Sequence, residues 1–335
     1  MKAISLFFSV AFFILLLFSP AGRGEELTLE RVSDNLYLIY GGGGNVAFLV
    51  TEEGVLVVDS KTFPYQGEEV VAKIRQVTKK PIRYLIFTHY HGDHIQGAQS
   101  FPESAVVISH INTLRNIERF SLPGLERTKK RYGEELKKAE QKVKELREEK
   151  SPKLKEAEKE LELIQRRLKE YQRLRLVSPE VVFERKMIIR FGGEDVELLY
   201  SGCGHTDGDI LVYFPKEKAI HMGDLLFNNI IPYIDRRASS DTENWIKILE
   251  KVMTMDGVEE VIPGHGKLTD KKGLIAQADY LKDLRAAVKK YIERGASLEE
   301  AKEKLKLPKY EKMEGYTRRL SANVEAVYKE MTEKK

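Results

Sequence analysis

The sequence predicts an α/β fold in which strands stack as a sandwich and helices cover its outer faces. Three observations carry this reading. Short apolar runs rich in Val, Ile and aromatic residues recur between residues 35 and 262, and this is the signature of buried strands. Amphipathic stretches with helical spacing fall between them. Residues of metal-ligating type stand where several of the runs end. Strands and helices in alternation, with chemistry at the strand ends, imply helix layers packed on sheet.

In chain order, Asn35 to Tyr40 and Val46 to Val50 read as strands joined by Gly41-Gly42-Gly43-Gly44. No Lys-Ser/Thr follows these glycines and no helix pattern starts there. They are therefore read as a hairpin turn with positive φ, not a phosphate loop. Glu53-Gly54 turns the chain into the strand Val55 to Asp59. Asp59 either orients a neighbouring ligand or caps the loop that follows. Gln66 to Thr78 is helical by spacing, with Val70, Val71, Ile74 and Val77 on one side, and Pro81 closes it. Ile82 to Phe87 is the next strand, Val106 to Ser109 a further one, and Asn112 to Phe120 a short helix.

From Leu125 to Leu174 the chain becomes Lys/Glu-rich with a heptad-like stripe. Leu136, Ala139, Val143 and Leu146 step by three and four. Leu154, Ala157, Leu161, Ile164, Leu168 and Tyr171 do the same. Ser151-Pro152 breaks the pattern and reads as an N-cap followed by proline at the first helical position. The expectation is a coiled-coil helical hairpin over 125–176 that serves self-association or protein docking. A bare stalk and a flap over the site are the other readings.

Strands resume at Val181 to Phe183, Met187 to Arg190, Val196 to Leu199, Ile210 to Phe214 and Ala219 to Met222. Trp245, Ile248 and Val252 mark a helix, and Val261-Ile262 a last strand. Residues 271–335 read as helical, with Leu281, Leu284, Val288 and Ile292 on one face and a capping box at Ser297-Leu298-Glu299-Glu300.

Composition narrows the function. The chain has 335 residues, a formal net charge of +4 and a single cysteine, Cys203. Lys and Glu are interspersed, so no basic stripe suggests a nucleic-acid partner. No intramolecular disulfide can form. Lys2, the apolar run Ile4 to Phe18 and the small residues of Ser19 to Gly24 form an expected signal peptide over 1–24. The run is shorter than the roughly 20 residues of a spanning helix, so a cleaved export signal is expected over an uncleaved membrane anchor. The destination is periplasmic or extracellular.

The chemistry concentrates in Thr88-His89-Tyr90-His91-Gly92-Asp93-His94. His89 and His91 are two apart, so on extended chain both point to one side. Gly92 permits a sharp turn, and Asp93 and His94 then face a second point. This geometry suits two metal ions bound by nitrogen and oxygen. His205, Asp224 and His265 are the partners such a site needs. Five of the seven histidines belong to this scheme. His110 and His221 interrupt apolar strands and are read as ordinary half-buried side chains, and Cys203 as packing.

His89-Tyr90-His91-Gly92-Asp93-His94, Gly204-His205-Thr206, Gly223-Asp224 and Pro263-Gly264-His265-Gly266 together resemble the metallo-β-lactamase superfamily. Gly204 to Asp209 and His221 to Phe227 are similar to its exported lactamase-like and cyclase-like group. The resemblance implies the αββα sandwich: a first part at 25–124, the inserted hairpin at 125–176, a second part at 177–270 and a helical extension at 271–335. It implies His89, His91 and His205 as ligands of one metal, and Asp93, His94 and His265 as ligands of a second. Asp224 would be the bridging carboxylate, with Asp93 and Asp224 as catalytic residues. Imidazole and carboxylate without thiolate suit two zinc ions best, and iron or manganese also fit. The expected reaction is attack on a substrate carbonyl by a water held and acidified between the metals.

Two departures bear on substrate. The commonest lactamases carry cysteine where Asp224 stands, and three residues on a lysine that grips the substrate carboxylate, where this chain has Phe227. The substrate expected is a small molecule: a lactam, lactone, ester or thioester. The competing readings are a docking scaffold with a structural metal, and a nuclease of the same superfamily.

Overall fold

The computed structural model describes residues 26–333. The expected signal peptide lies outside these residues. Its first strands are β1 (Thr28–Arg31), β2 (Leu36–Tyr40), β3 (Val46–Val50) and β4 (Val55–Val58), followed by helix α1 (Pro64–Val77) and β5 (Ile82–Ile86). A one-turn helix α2 (Gly92–Ile95), strand β6 (Val106–His110) and helix α3 (Ile111–Asn116) come next. Two long helices, α4 (Leu122–Glu148) and α5 (Leu154–Arg173), precede β7 (Val181–Phe183), β8 (Lys186–Phe191), β9 (Glu194–Tyr200), β10 (Ile210–Phe214) and β11 (Ala219–His221). Helix α6 (Thr242–Met253), strand β12 (Glu260–Ile262) and helices α7 (Lys271–Glu293), α8 (Leu298–Lys304) and α9 (Tyr316–Thr332) complete the chain.

Among the described residues the strands form a seven-stranded sheet in sequence order β1 to β7 and a five-stranded sheet ordered β12-β11-β10-β9-β8. Strands β2 to β4 bury both faces, which is why they read as unbroken apolar runs. Leu36, Leu38, Leu56 and Ile86 of the first sheet pack against Val196, Leu198, Val212 and Phe214 of the second, closing the space between the sheets. Outside the first sheet, Phe48, Val55 and Val57 meet Val70 and Ile74 of α1. Outside the second, Leu211, Ile220 and Val261 meet Trp245, Leu249, Leu281 and Val327. The layers are therefore helix, sheet, sheet, helix.

Register decides where the site lies. Strands β4, β5 and β6 run parallel, as do β11 and β12. β10 runs antiparallel to β11, so the start of β10 and the end of β11 share an edge. The loops after β4, β5, β11 and β12 and the loop before β10 therefore gather on one edge of the sandwich. Two links stitch the sheets there: Asn45 N–H donates to Gly264 O at 2.7 Å, and Ile210 N–H to Thr88 O at 3.0 Å. The Gly41 to Gly43 turn has positive φ throughout, as its hairpin role requires.

The Lys/Glu-rich segment forms helices that lie side by side and antiparallel. Arg147 pairs with Glu158 at 2.7 Å, Lys142 with Glu160 at 2.8 Å, and Arg167 reaches the Tyr132 hydroxyl at 3.4 Å. Ala139, Val143, Ala157 and Leu168 are buried along their seam. Two expectations need correction. Residues 112–120 are not a separate helix: α3 runs into α4 through one wide turn, Ile117–Ser121, in which Leu122 N–H bonds to Ile117 O. Pro123 cannot donate, and its ring crowds the carbonyl a turn earlier, so the backbone widens before it. Ser151-Pro152 does not open the second arm either. Ser151 N–H closes the first arm on Leu146 O, and α5 starts at Leu154 without a side-chain cap. At Ser297 the hydroxyl accepts from Glu300 N–H at 3.2 Å. No helix among the described residues is long and apolar enough to cross a membrane.

Trp245 is fully buried between α6 and the second sheet, and its Nε1–H donates to Leu225 O at 2.9 Å. Gln277 also donates to that carbonyl, so truncation leaves a cavity but no orphaned acceptor. Trp245→Ala should destabilise the fold by about 3–5 kcal/mol, read as a lowered denaturant midpoint in chemical unfolding.

Candidate metal centre

Each candidate ligand stands at the end of an element on the shared edge. His89 stands three residues past the end of β5, and the single turn of α2 after His91 swings Asp93 and His94 away from it. His205 sits in the loop before β10. Asp224 lies in the turn after β11, and His265 follows β12. Two glycines let the backbone pass close to these side chains. A Cβ on Gly44 would stand 2.3 Å from the His94 ring, and one on Gly264 would stand 2.1 Å from Asp224 Oδ1.

The structure brings all seven predicted residues together in two adjoining groups: His89, His91, His205 and Asp224, and Asp93, His94 and His265. In the first, His91 Nδ1 lies 3.0 Å from His205 Nε2, and Asp224 Oδ2 lies 3.6 Å from both His89 Nε2 and His205 Nε2. In the second, Asp93 Oδ2 is 3.2 Å from His265 Nε2 and 3.7 Å from His94 Nε2. Asp224 Oδ1 is 3.2 Å from His94 Nε2 and 3.4 Å from His265 Nε2. One carboxylate thus gives one oxygen to each group. His89 Nε2, His94 Nε2 and Asp224 Oδ1 are buried and make no hydrogen bond. Buried polar atoms left this way are costly unless something answers them. Divalent cations fit, because every facing atom is an imidazole nitrogen or a carboxylate oxygen.

The far side of each ring is also held. His89 Nδ1 meets Thr88 Oγ1 at 3.0 Å, and that hydroxyl donates to Asp59 Oδ2 at 2.8 Å. Asp59 also takes His94 Nδ1 at 2.7 Å, so of its two expected roles the orienting one is present. His205 Nδ1 meets Tyr233 O at 2.8 Å, and His91 Nε2 meets Asp235 Oδ2 at 2.9 Å. Such outer contacts fix which nitrogen faces a metal. Sequence reading missed Asp235. Its one local signal is a carboxylate at the end of Ile230 to Ile234, an apolar run with no helical or strand period. Asp235 also accepts from the Tyr90 hydroxyl and from Arg237.

The remaining histidines and the cysteine stay apart. His110 stacks on Tyr200 at 3.9 Å and bonds Glu184 O, and His221 accepts from Gly223 N–H. Both are fully buried rather than half-buried, since both sheet faces are covered. Cys203 Sγ lies 3.9 Å from the Tyr200 hydroxyl and belongs to neither group.

The two groups differ electrically. Burial, helped by His94, holds His89 well below the usual imidazole range, and burial with His91 lowers His205 to about 4. Both are neutral bases at neutral pH. In the second group burial opposes protonation of His265, but Asp224 and Asp93 outweigh it and raise His265 to about 9. His94 is raised against burial by Asp224, Asp59 and Asp93. Burial would raise the two carboxyls in turn. His265, His94 and His89 instead hold Asp224 well down, and His94 and His265 hold Asp93 down. Nearby, burial pushes Asp209 up to about 8, although it accepts from Thr206 N–H and Oγ1–H.

Comparison with known proteins agrees with this geometry. The family profile described as the metallo-beta-lactamase superfamily matches residues 39–265. The chain is 24% identical over 239 residues to a metallo-beta-lactamase type 2 of Bacillus cereus, covering 71% of this chain and 73% of that one. It is 39% identical over 49 residues to a linear primary-alkylsulfatase of a Pseudomonas strain, 15% of this chain and 9% of that one. Among solved structures, a metallo-beta-lactamase from Pontibacter korlensis superposes with TM-score 0.55 at 18% identity, over 77% of this chain and 99% of the other. A stereoselective inverting sec-alkylsulfatase from Pseudomonas sp. superposes with TM-score 0.67 at 17% identity, over 91% of this chain and 50% of that longer one. These structural likenesses concern the fold.

Two predictions follow from the asymmetry and the outer contacts. A raised His265 stays protonated through neutral pH, so cation uptake by its group must expel that proton and strengthens as pH rises towards about 9. His205 competes with protons only near pH 4. Metal analysis after dialysis should therefore find less bound cation at about pH 5.5 than at about pH 8.5. Asp235→Asn keeps the volume but weakens the grip on His91. It should cost about 10–100-fold in metal affinity, measured by competition with a chelating dye.

Proposed function

Because this chain belongs to the metallo-β-lactamase superfamily and is a metal-dependent hydrolase of that fold, we propose that it is a dinuclear zinc hydrolase that cleaves a carbonyl substrate, whether lactam, lactone, ester or thioester. The observation that carries this reading is the division of Asp224, with Oδ2 turned to the three-histidine group and Oδ1 to the other. A structural zinc closes its shell with four ligands of its own, whereas a shared carboxylate suits two adjoining cations. His89, His91 and His205 would hold one zinc and Asp93, His94 and His265 the other. When bound, such a pair acidifies a water and polarises the carbonyl under attack.

The protein's own groups do the rest. Asp93 is partly open to solvent while Asp224 is buried. Asp93 is therefore the carboxylate that meets the attacking water, turns its lone pair towards the carbonyl carbon and takes its proton on Oδ1, the oxygen not turned to His94 and His265. His265, 3.2 Å from Asp93 Oδ2, would be held on the zinc side of that carboxylate, so the proton goes from Asp93 itself to the leaving group as the bond to it breaks. Asp59 and Asp235, at the backs of His94 and His91, keep the imidazoles aimed while charge shifts. Phe227 lays its ring flat against His265, at 5.1 Å and 7°, and gives that wall of the site an apolar surface. Export through residues 1–24 and an interaction role for the 125–176 arm belong to the same proposal and rest on the sequence patterns described above.

His91→Ala combined with His205→Ala removes two ligands from one group. Bound zinc should fall by at least one equivalent, and hydrolysis across a panel of lactam, lactone and aryl-ester reporters by more than about a hundredfold. Unchanged zinc and turnover in the double variant would refute the ligand assignment. In the intact chain, one tightly held ion without turnover on any reporter would favour the scaffold role.

A further inference from the structure

Helix α9 turns one cation back towards the metal centre. Arg319 is partly buried, and its guanidinium carbon stands 5.5 Å from the centre of the Phe227 ring. That ring is the one stacked on His265, so the cation lies a single aromatic ring away from a candidate ligand. One Arg319 Nη1–H is spent on Ile231 O at 2.5 Å, which fixes the head group. Among the described residues no carboxylate forms an ion pair with it, although Arg318 repels it and the charges of Asp224, Asp93 and Glu314 reach it. Other cations around the centre are committed. Arg237 is bonded to Asp235, and Lys61 is sealed in the fold on the carbonyls of Ile39 and Gly44.

A partly desolvated guanidinium without an acidic partner is costly to keep. Its remaining donors form a planar fork, the geometry that carboxylate and sulfate oxygens accept in pairs. Phe227 beside it contributes no polar atom, so a bound oxyanion would meet the fork without competition from that side chain. We propose that Arg319 is the substrate anchor of this enzyme, holding an oxyanion, carboxylate or sulfate, on the part of the substrate that extends from the scissile bond towards α9. The proposal rests on the hydrolase reading above and narrows it to anionic substrates. It also places a specificity-determining residue outside the span 39–265 that the family profile matches.

The test uses the full zinc-loaded chain and two matched esters, 4-nitrophenyl hydrogen glutarate and its methyl ester, which differ only in the distal carboxylate. The wild type should prefer the anionic ester. In Arg319→Met the ratio of the two kcat/KM values should fall tenfold or more, through KM of the anionic ester, and Arg319→Lys should recover part of it. A merely structural Arg319 would lower both esters alike and leave the ratio unmoved, and that result overturns the proposal. Calorimetric titration with glutarate provides a readout independent of turnover: Kd should weaken at least tenfold in Arg319→Met, and an unchanged Kd overturns the anchor. If the wild type hydrolysed neither ester while glutarate binding still depended on Arg319, the hydrolase reading would fail and the anchor would stand.

Discussion

The structure turns on one buried carboxylate. Asp224 is almost wholly withdrawn from water, and burial alone would neutralise it. Three histidines around it outweigh that effect and keep it ionised. An ionised carboxylate in such surroundings needs a partner on both of its oxygens: the raised His94 and His265 bring positive charge to Oδ1, and the neutral His89 and His205 face Oδ2, where a cation would complete the set. Neither sheet supplies the set alone: His89, His91 and His94 come with the first, and His205 and His265 with the second. The contact between the two sheets is therefore also what assembles the site. The Asn45 links to Pro263, Gly264 and Gly266 tie the β2–β3 turn to the His265 loop at the point where the sheets must stay in register.

Around that centre a second ring of groups fixes the imidazoles without facing them. Asp59 serves two histidines at once, taking His94 directly and His89 through the Thr88 hydroxyl. Its backbone sits at φ +66°, a conformation costly for most side chains but tolerated by aspartate. Asp235 does the same work for His91 from the far side of the cleft, and the hydroxyl of Tyr90 shares that carboxylate. Aiming a ligand within a fraction of an ångström is the usual function of such outer contacts. It explains why so many polar groups are packed into an otherwise apolar edge.

What was legible in the sequence divides along physical lines. Strands buried on both faces leave dense apolar runs, so Val46–Val50 and Ile210–Phe214 could be read to the residue. Edge strand β1, Thr-Leu-Glu-Arg, is exposed along most of its length and carries no such signal. The seven candidate ligands were legible because their residue types and glycine neighbours are local. Asp235 was not, because its partner His91 is 144 positions away and nothing near it repeats with a period. Arg319 escaped for a related reason. On a helix it is one charged residue among several, and only the packing of α9 beside the His265 loop gives it a neighbour that matters. The hairpin arms were legible in their heptad stripe, but their ends were not. Ser151-Pro152 matches the preferences of a helix start, but the Ser151 amide is already bonded to Leu146 O.

The hairpin is bound to the chemistry more closely than a solvent-exposed stalk would be. The Ser121 hydroxyl, at its foot, donates to Tyr90 O, and the Phe120 ring lies 5.7 Å from that of Tyr90. Tyr90 stands between His89 and His91, so the foot of the arm grips the segment that carries two candidate ligands. On its other side Phe63 packs with Leu125 and Leu174, drawing both arms against the start of α1. The loop from Asp59 to Phe63 thus joins the orienting carboxylate to the foot of the hairpin. Packed interfaces of this kind move between discrete arrangements more readily than they deform. The widened turn at Ile117–Ser121, where the helix repeat is interrupted beside Tyr90, is the point at which the arm meets the edge that carries the candidate ligands.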